Sequence, residues 1–317
     1  MDLADGGRIR FLRPREATLA RQLDDALVAY GRQHSLPGVA DAARRAVLVE
    51  QLVESIRRVS FVSAVGEREI SPLRADPRSP LFDPVKAALL HLRAGRADEA
   101  SWLVFLSVHF GRHARAGWSY PRFVYCRDGG PEWWDWASVS ADPDGFRAWL
   151  GAHQDEMSEL HAGFGNHRKY ESLDAFSLHG TGAVIESYVA WIAPPRTPTA
   201  LFEDAMRDAH GDGRSAFERL YRSMGAVTRF GRTARFDYLT MIGKTGVSDI
   251  EPGSPYLDGA TGPRKGAELL MGAGLSVKNL DLQVVELGAA LNVGMQVLED
   301  ALCNWQKNPA RFTPFRG

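Results

Sequence analysis

The chain has 317 residues, 44% of them hydrophobic and 24% charged, which suits one large or two ordinary domains with a packed core and argues against wholesale disorder. No run of about 18 uncharged apolar residues occurs, which argues against a membrane span. With 38 basic and 39 acidic residues the formal net charge is −1, so a nucleic-acid role has to be sought in local charge. Cys126 and Cys303 are too few for a four-thiolate cluster, and the opening MDLADGGRIRF lacks the basic start and apolar core of a secretory signal. A cytoplasmic protein without metal or cofactor is therefore expected.

Helical periodicity dominates the chain. Leu19, Leu23, Leu27 and Tyr30 form one stripe over residues 16–33. Val47, Leu48, Leu52 and Ile56 form another over 39–59. After a proline-rich joint at 71–84, helices are predicted over 85–93 and 98–113. Residues 118–146 carry four tryptophans among turn formers, and read as an irregular excursion with a short hairpin. Helices resume over 143–159, with Asp142 as cap ahead of Pro143, and over 181–192. The stretch APPRTPTA at 193–200 is the best candidate linker. Beyond it helices are predicted over 200–210, 214–226, 233–242, 263–271 and 280–305. Strands are nearly absent, so the fold class is mostly α.

Local charge is uneven. Residues 214–244 hold seven Lys or Arg against Glu218 and Asp237, which fits a DNA-facing side; a helix laced with arginine is the equal alternative. The run Gly262-Pro263-Arg264-Lys265-Gly266 reads as a glycine-bounded turn opening a helix. Asp281, 15 residues after Gly266, reads as the start of another. A glycine turn brings backbone N–H groups close to a phosphate, and a carboxylate beside it can stabilise a sugar cation or orient water. The competing reading makes Asp281 an N-cap.

The order helix, helix, glycine turn, helix, Asp, helix resembles the helix-hairpin-helix DNA glycosylases. Here Pro-Arg-Lys stands in place of the usual second hairpin glycine. The resemblance makes Asp281 the catalytic carboxylate and puts Gly262, Arg264, Lys265 and Gly266 on the DNA backbone. Lys265 stands where bifunctional members carry a Schiff-base lysine, although a phosphate contact is its simpler role.

A wider resemblance rests on FGNHRKYES (164–172), GRTARFDYL (231–239), GATGPRKGA (259–267) and EDALC (299–303). These strings are similar to the α-glutamyl/putrescinyl-thymine pyrophosphorylase families, glycosylase-like proteins associated with DNA hypermodification. The resemblance implies a helix-hairpin-helix module over 196–317 and an N-terminal helical region over 1–195 that supplies part of a base pocket. It further implies double-stranded DNA carrying a bulky modified pyrimidine as substrate. Excision of a base such as glucosylated 5-hydroxymethylcytosine from phage DNA would leave an abasic site. The rivals are a transferase that displaces pyrophosphate from an activated hydroxymethylpyrimidine, and a non-catalytic DNA-binding module. No obligate protein partner follows.

Within those strings Asn166, His167, Lys169, Tyr170 and Glu171 offer donors, acceptors and an imidazole for a base edge, or simply a polar helix start. Asp237 is a second catalytic carboxylate or the ion-pair partner of Arg232 or Arg235. Arg229, Arg232 and Arg235 would grip the DNA backbone. Trp133, Trp134 and Trp136 stack on a flipped base or fill the core.

Overall fold

The computed structural model describes residues 13–127 and 132–315. Its helices, in chain order, are α1 (Ala17–Gly31), α2 (Ala42–Val59), α3 (Phe61–Gly66), α4 (Pro84–Arg93), α5 (Ala97–Phe110), α6 (Ser119–Cys126), α7 (Trp136–Ala141) and α8 (Pro143–Glu159). They continue with α9 (Thr181–Ile192), α10 (Pro198–Asp208), α11 (Gly213–Ser223), α12 (Arg232–Thr245), α13 (Gly262–Met271), α14 (Val277–Leu291) and α15 (Met295–Trp305). No strand occurs among the described residues, so the fold is mostly α.

The boundaries follow from end chemistry. Asp41, Asp83, Asp135, Asp142, Thr197, Asp212 and Ser276 each accept a backbone N–H of the following first turn, and Pro84, Pro143 and Pro198 fill the position where no N–H is needed. Two expectations are corrected. The excursion at 118–146 contains α6 and α7 and no hairpin among its described residues, a lone bridge joining His113 and Gly117 upstream of it. The single helix expected over 280–305 is two, because Asn292 takes left-handed φ (52°) and ends α14 before Gly294 opens α15.

The chain clusters into two units, one of residues 1–61 and 252–316, the other of 62–251. The boundary expected at 195/196 lies within residues 62–251, where 193–197 joins α9 to α10. The physical reason is long-range: Leu48, Val49 and Leu52 of α2 share one buried cluster with Leu298, Leu302 and Trp305 of α15, a pairing that no local composition reveals.

In the first unit, α13 and α15 approach at glycines. A Cβ on Gly262 would lie 2.6 Å from Cys303 Sγ, and one on Gly266 would lie 2.7 Å from the Leu302 carbonyl carbon. The four-residue spacing puts both glycines on one helix face. Arg45 Nε, buried, donates to Asp24 Oδ1 at 2.8 Å and links α2 to α1. The second unit is built round rings: Trp102, Phe105, Tyr188 and Tyr238 are fully buried, with Phe105 and Tyr188 centroids 3.7 Å apart. Their hydroxyls are satisfied internally, Tyr238 lying 2.7 Å from Ser101 Oγ and 2.9 Å from Tyr188 Oη.

Gly266→Ala should destabilise the protein by roughly 1–3 kcal/mol through overpacking. Lys265→Ala, exposed on the same turn, should stay within about 0.5 kcal/mol of the parent. Urea unfolding midpoints check the pair.

Candidate functional site around Asp237

The site of the second unit begins at the end of α5. Gly111 turns with φ 65°, and the backbone of Gly165 lies against it so closely that a Cβ on Gly111 would be 2.9 Å from Gly165 Cα. Gly165 N donates to the Phe110 carbonyl at 2.7 Å. Arg168 Nε donates to the His109 carbonyl at 3.2 Å. Two orphan carbonyls at a helix C-terminus are thereby satisfied, one of them by a cation that also suits the negative end of the dipole.

Arg168, itself buried, carries the next layer. Its guanidinium lies 5.0 Å from the Phe230 ring centroid, its Nη1 donates to the Arg229 carbonyl at 3.4 Å, and its Nη2 stands 3.7 Å from Glu171 Oε1. Glu171 also receives Arg229 Nε at 3.2 Å on its other oxygen. Arg229 holds left-handed φ (60°), unusual for a side chain of its size, and donates to the Tyr170 carbonyl at 3.3 Å. Beneath them, His109 is fully buried. The Thr181 hydroxyl donates to the Ser172 carbonyl at 2.7 Å, so His109 Nε2, 3.0 Å away, must be the donor to Thr181. His109 Nδ1 is then a buried acceptor without a partner among the described residues, and burial beside Arg168 holds the ring's pKa far below its usual value.

Asp237 projects from α12 into this assembly. It is half-buried, and burial raises its pKa above the ordinary 3.8 although His167, Lys244, Arg232 and Arg168 all pull the other way. Lys244 lies seven residues on, two helical turns along the same face. The result is a carboxylate, partly desolvated, on which an imidazole, an ammonium and two guanidinium groups act. Such a group can take a proton from a bound nucleophile while its neighbours compensate negative charge on a substrate.

A family model described as alpha-glutamyl/putrescinyl thymine pyrophosphorylase clade 3 matches residues 43–317. The chain belongs to this family. No curated protein and no solved structure gives a significant match.

Set against the sequence reading of the family motifs, the structure brings His167, Glu171, Arg229, Arg232 and Asp237 into one network. Lys169 and Tyr170 sit on its exposed rim. Asn166 belongs to the same turn by its backbone; its side chain lies outside the described residues. Arg235 is turned away, donating to the Tyr221 carbonyl at 3.1 Å with its guanidinium 4.4 Å from that ring. Of Asp237's two expected arginine neighbours, only Arg232 is among the groups acting on it. The basic stretch is also less bare than its sequence, since Arg214 pairs with Glu251 and Arg222 with Glu218. Trp134 is a core residue, whereas half-buried Trp133 and buried Trp136 line a separate cleft of about 850 Å³. Burial pushes Glu99 in that cleft up to about 7, against donation from Tyr125 Oη and Trp136 N.

The remaining predicted residues belong to the first unit. Gly262 through Gly266 is the first turn of α13, not a free hairpin turn, and its two glycines serve the approach to α15. Arg264 pairs with Glu268 at 2.8 Å, and Lys265 is exposed. Asp281 does not begin its helix: Ser276 caps α14, accepting from Asn279 N at 3.2 Å. Asp281 Oδ1 accepts instead from Ser254 Oγ at 2.9 Å and Leu257 N at 3.2 Å, tying the preceding loop to α14. Sequence reasoning missed His109 and Lys244. The seven-residue spacing from Asp237 was a usable signal for Lys244, but nothing local marks His109.

The two carboxylates should respond oppositely. Asp281→Ala leaves the Leu257 N–H without its acceptor and should cost about 1–3 kcal/mol of stability. A raised pKa means that folded Asp237 binds its proton more tightly than the unfolded chain does. The associated stability is complete below 3.8 and lost as pH rises through the raised value. Asp237→Asn should therefore raise the urea midpoint at pH 7, the gain shrinking as pH approaches 3.8.

Proposed function

We propose that this protein is a DNA glycosylase that turns a hypermodified pyrimidine out of duplex DNA and hydrolyses its N-glycosidic bond. The observation that carries the reading is the half-buried Asp237 among His167, Arg168, Arg232 and Lys244. In the proposed step a water oxygen bonds to C1′ as the bond from C1′ to the base nitrogen breaks, and the electron pair leaves with the base. Asp237 stabilises the cationic sugar and takes the water's proton, which then returns to the departing base. The positive groups around Asp237 balance charge on the base and on nearby phosphates. His167, Lys169 and Glu171 line the approach of the base, and Arg229 and Arg232 hold the strand. In this reading Asp281 braces its loop, and exposed Lys265 contacts backbone phosphate, so the product is an abasic site without strand cleavage. The assignment to phage DNA as antiviral defence extends the resemblance to proteins of DNA hypermodification.

A second reading draws support from the number of cations round a single carboxylate and from the family's name. An amine would attack the methylene carbon of an activated hydroxymethylpyrimidine, pyrophosphate leaving with the carbon–oxygen electron pair while Asp237 takes the amine proton. The cations would then hold pyrophosphate, and the glycosidic bond would stay intact.

The test is mass spectrometry of small molecules released from phage DNAs bearing different modified pyrimidines, with and without added polyamine. A free modified base is expected, lost in Asp237→Asn. Pyrophosphate release that needs the amine, with no free base, would replace the first reading by the second.

A further inference from the structure

Tyr170 is 80% exposed, yet the backbone that carries it is fixed. Its carbonyl accepts from Arg229 Nη2 at 3.3 Å, and the next residue, Glu171, donates its N–H to the Arg168 carbonyl at 2.9 Å. The Glu171 carboxylate, with a side chain only 8% exposed, is held by Arg168 and Arg229 together. Phe176, the next exposed ring along this segment, has an internal use. It covers Gly151 so closely that a Cβ there would lie 2.6 Å from the ring, and its carbonyl accepts from Arg147 at 3.2 Å. Tyr170 differs: among the described residues its ring is met by the Lys169 ammonium alone, 5.0 Å from its centroid. A large ring kept in water on a rigid mount forgoes the stability that burial would bring, and a rigid mount lowers the ordering cost of binding.

The charge around the ring says what it faces. Lys169 precedes it, Arg229 holds its carbonyl, and the carboxylate next to it in the chain, Glu171, is paired with two arginines. An aromatic face flanked by cations, its adjoining carboxylate already paired, matches a nucleobase between two phosphates.

Resting on the reading of the substrate as duplex DNA, we propose that Tyr170 stacks on the base neighbouring the target and fills the gap the target leaves on turning out. Lys169 and Arg229 then hold the flanking phosphates. Tyr170 is thus a positioning residue on the rim of the Asp237 site, and it lines no pocket.

The probe is a duplex oligonucleotide carrying 5-hydroxymethylcytosine with 2-aminopurine beside it, followed by fluorescence anisotropy and by 2-aminopurine emission. Tyr170→Ala is expected to weaken binding by about tenfold or more, the loss of one stacked base, and to change the emission of the bound probe. Tyr170→Phe and Tyr170→Trp should behave as the parent. The salt dependence of binding should be unaltered in Tyr170→Ala and shallower in Lys169→Ala, because only the latter removes a phosphate contact. Equal affinity and emission for Tyr170→Ala and parent would overturn the proposal while leaving the DNA reading standing. A parent protein that fails to bind the duplex would overturn the DNA reading itself.

Discussion

Two glycine backbones in contact organise the candidate site. Gly111 ends α5 with left-handed φ, and Gly165 lies against it with its N–H on the last carbonyl of the helix. A side chain at either position would force the segments apart. Without that approach Arg168 would not reach the His109 carbonyl, and the guanidinium that holds Glu171 and the Arg229 turn would have no fixed seat. The polar network around Asp237 is therefore mounted on the aromatic core of the second unit through one close backbone contact.

That mounting explains how a carboxylate can stay half-buried among cations. Burial alone would neutralise it, and exposure would leave an ordinary surface aspartate. Here the two influences oppose each other, burial being the larger. The strained φ of Arg229 and the Nδ1 of His109, unpartnered among the described residues, lie in the same assembly. Local costs of this kind collect where the surrounding structure over-determines geometry, which is the pattern of sites that do work on a ligand. In the first unit Asp300 accepts from Ser55 Oγ at 2.5 Å and from Arg58, joining α15 to α2, and Asp281 ties a loop to α14.

Much of the fold was legible because its signals are local. The stripe of Leu23, Leu27 and Tyr30, and the cap at Asp142, are carried within single helices. What escaped is long-range. The pairing of α2 with α15 that makes the first unit discontinuous leaves no trace in composition. The spacing of Gly262 and Gly266 suits a tight turn as well as a tight helix crossing, and helix packing decided it. The site was half legible for the same reason. FGNHRKYES and Asp237 stand out by residue type, whereas His109 sits in an apolar helix where a histidine reads as core, and Lys244, nine residues after Arg235, was marked only by its spacing from Asp237. The motif reading put its first carboxylate on Asp281, since an Asp ahead of an apolar run looks like a helix start. Ser276, five residues earlier, holds that place.

The central claim is that the working surface of this family member is the Asp237 assembly, and hydrogen–deuterium exchange with and without modified duplex DNA tests it most directly. Protection on binding is predicted for peptides spanning 164–172 and 228–245. Protection confined to 254–281, with both of those segments exchanging as in the free protein, would contradict it.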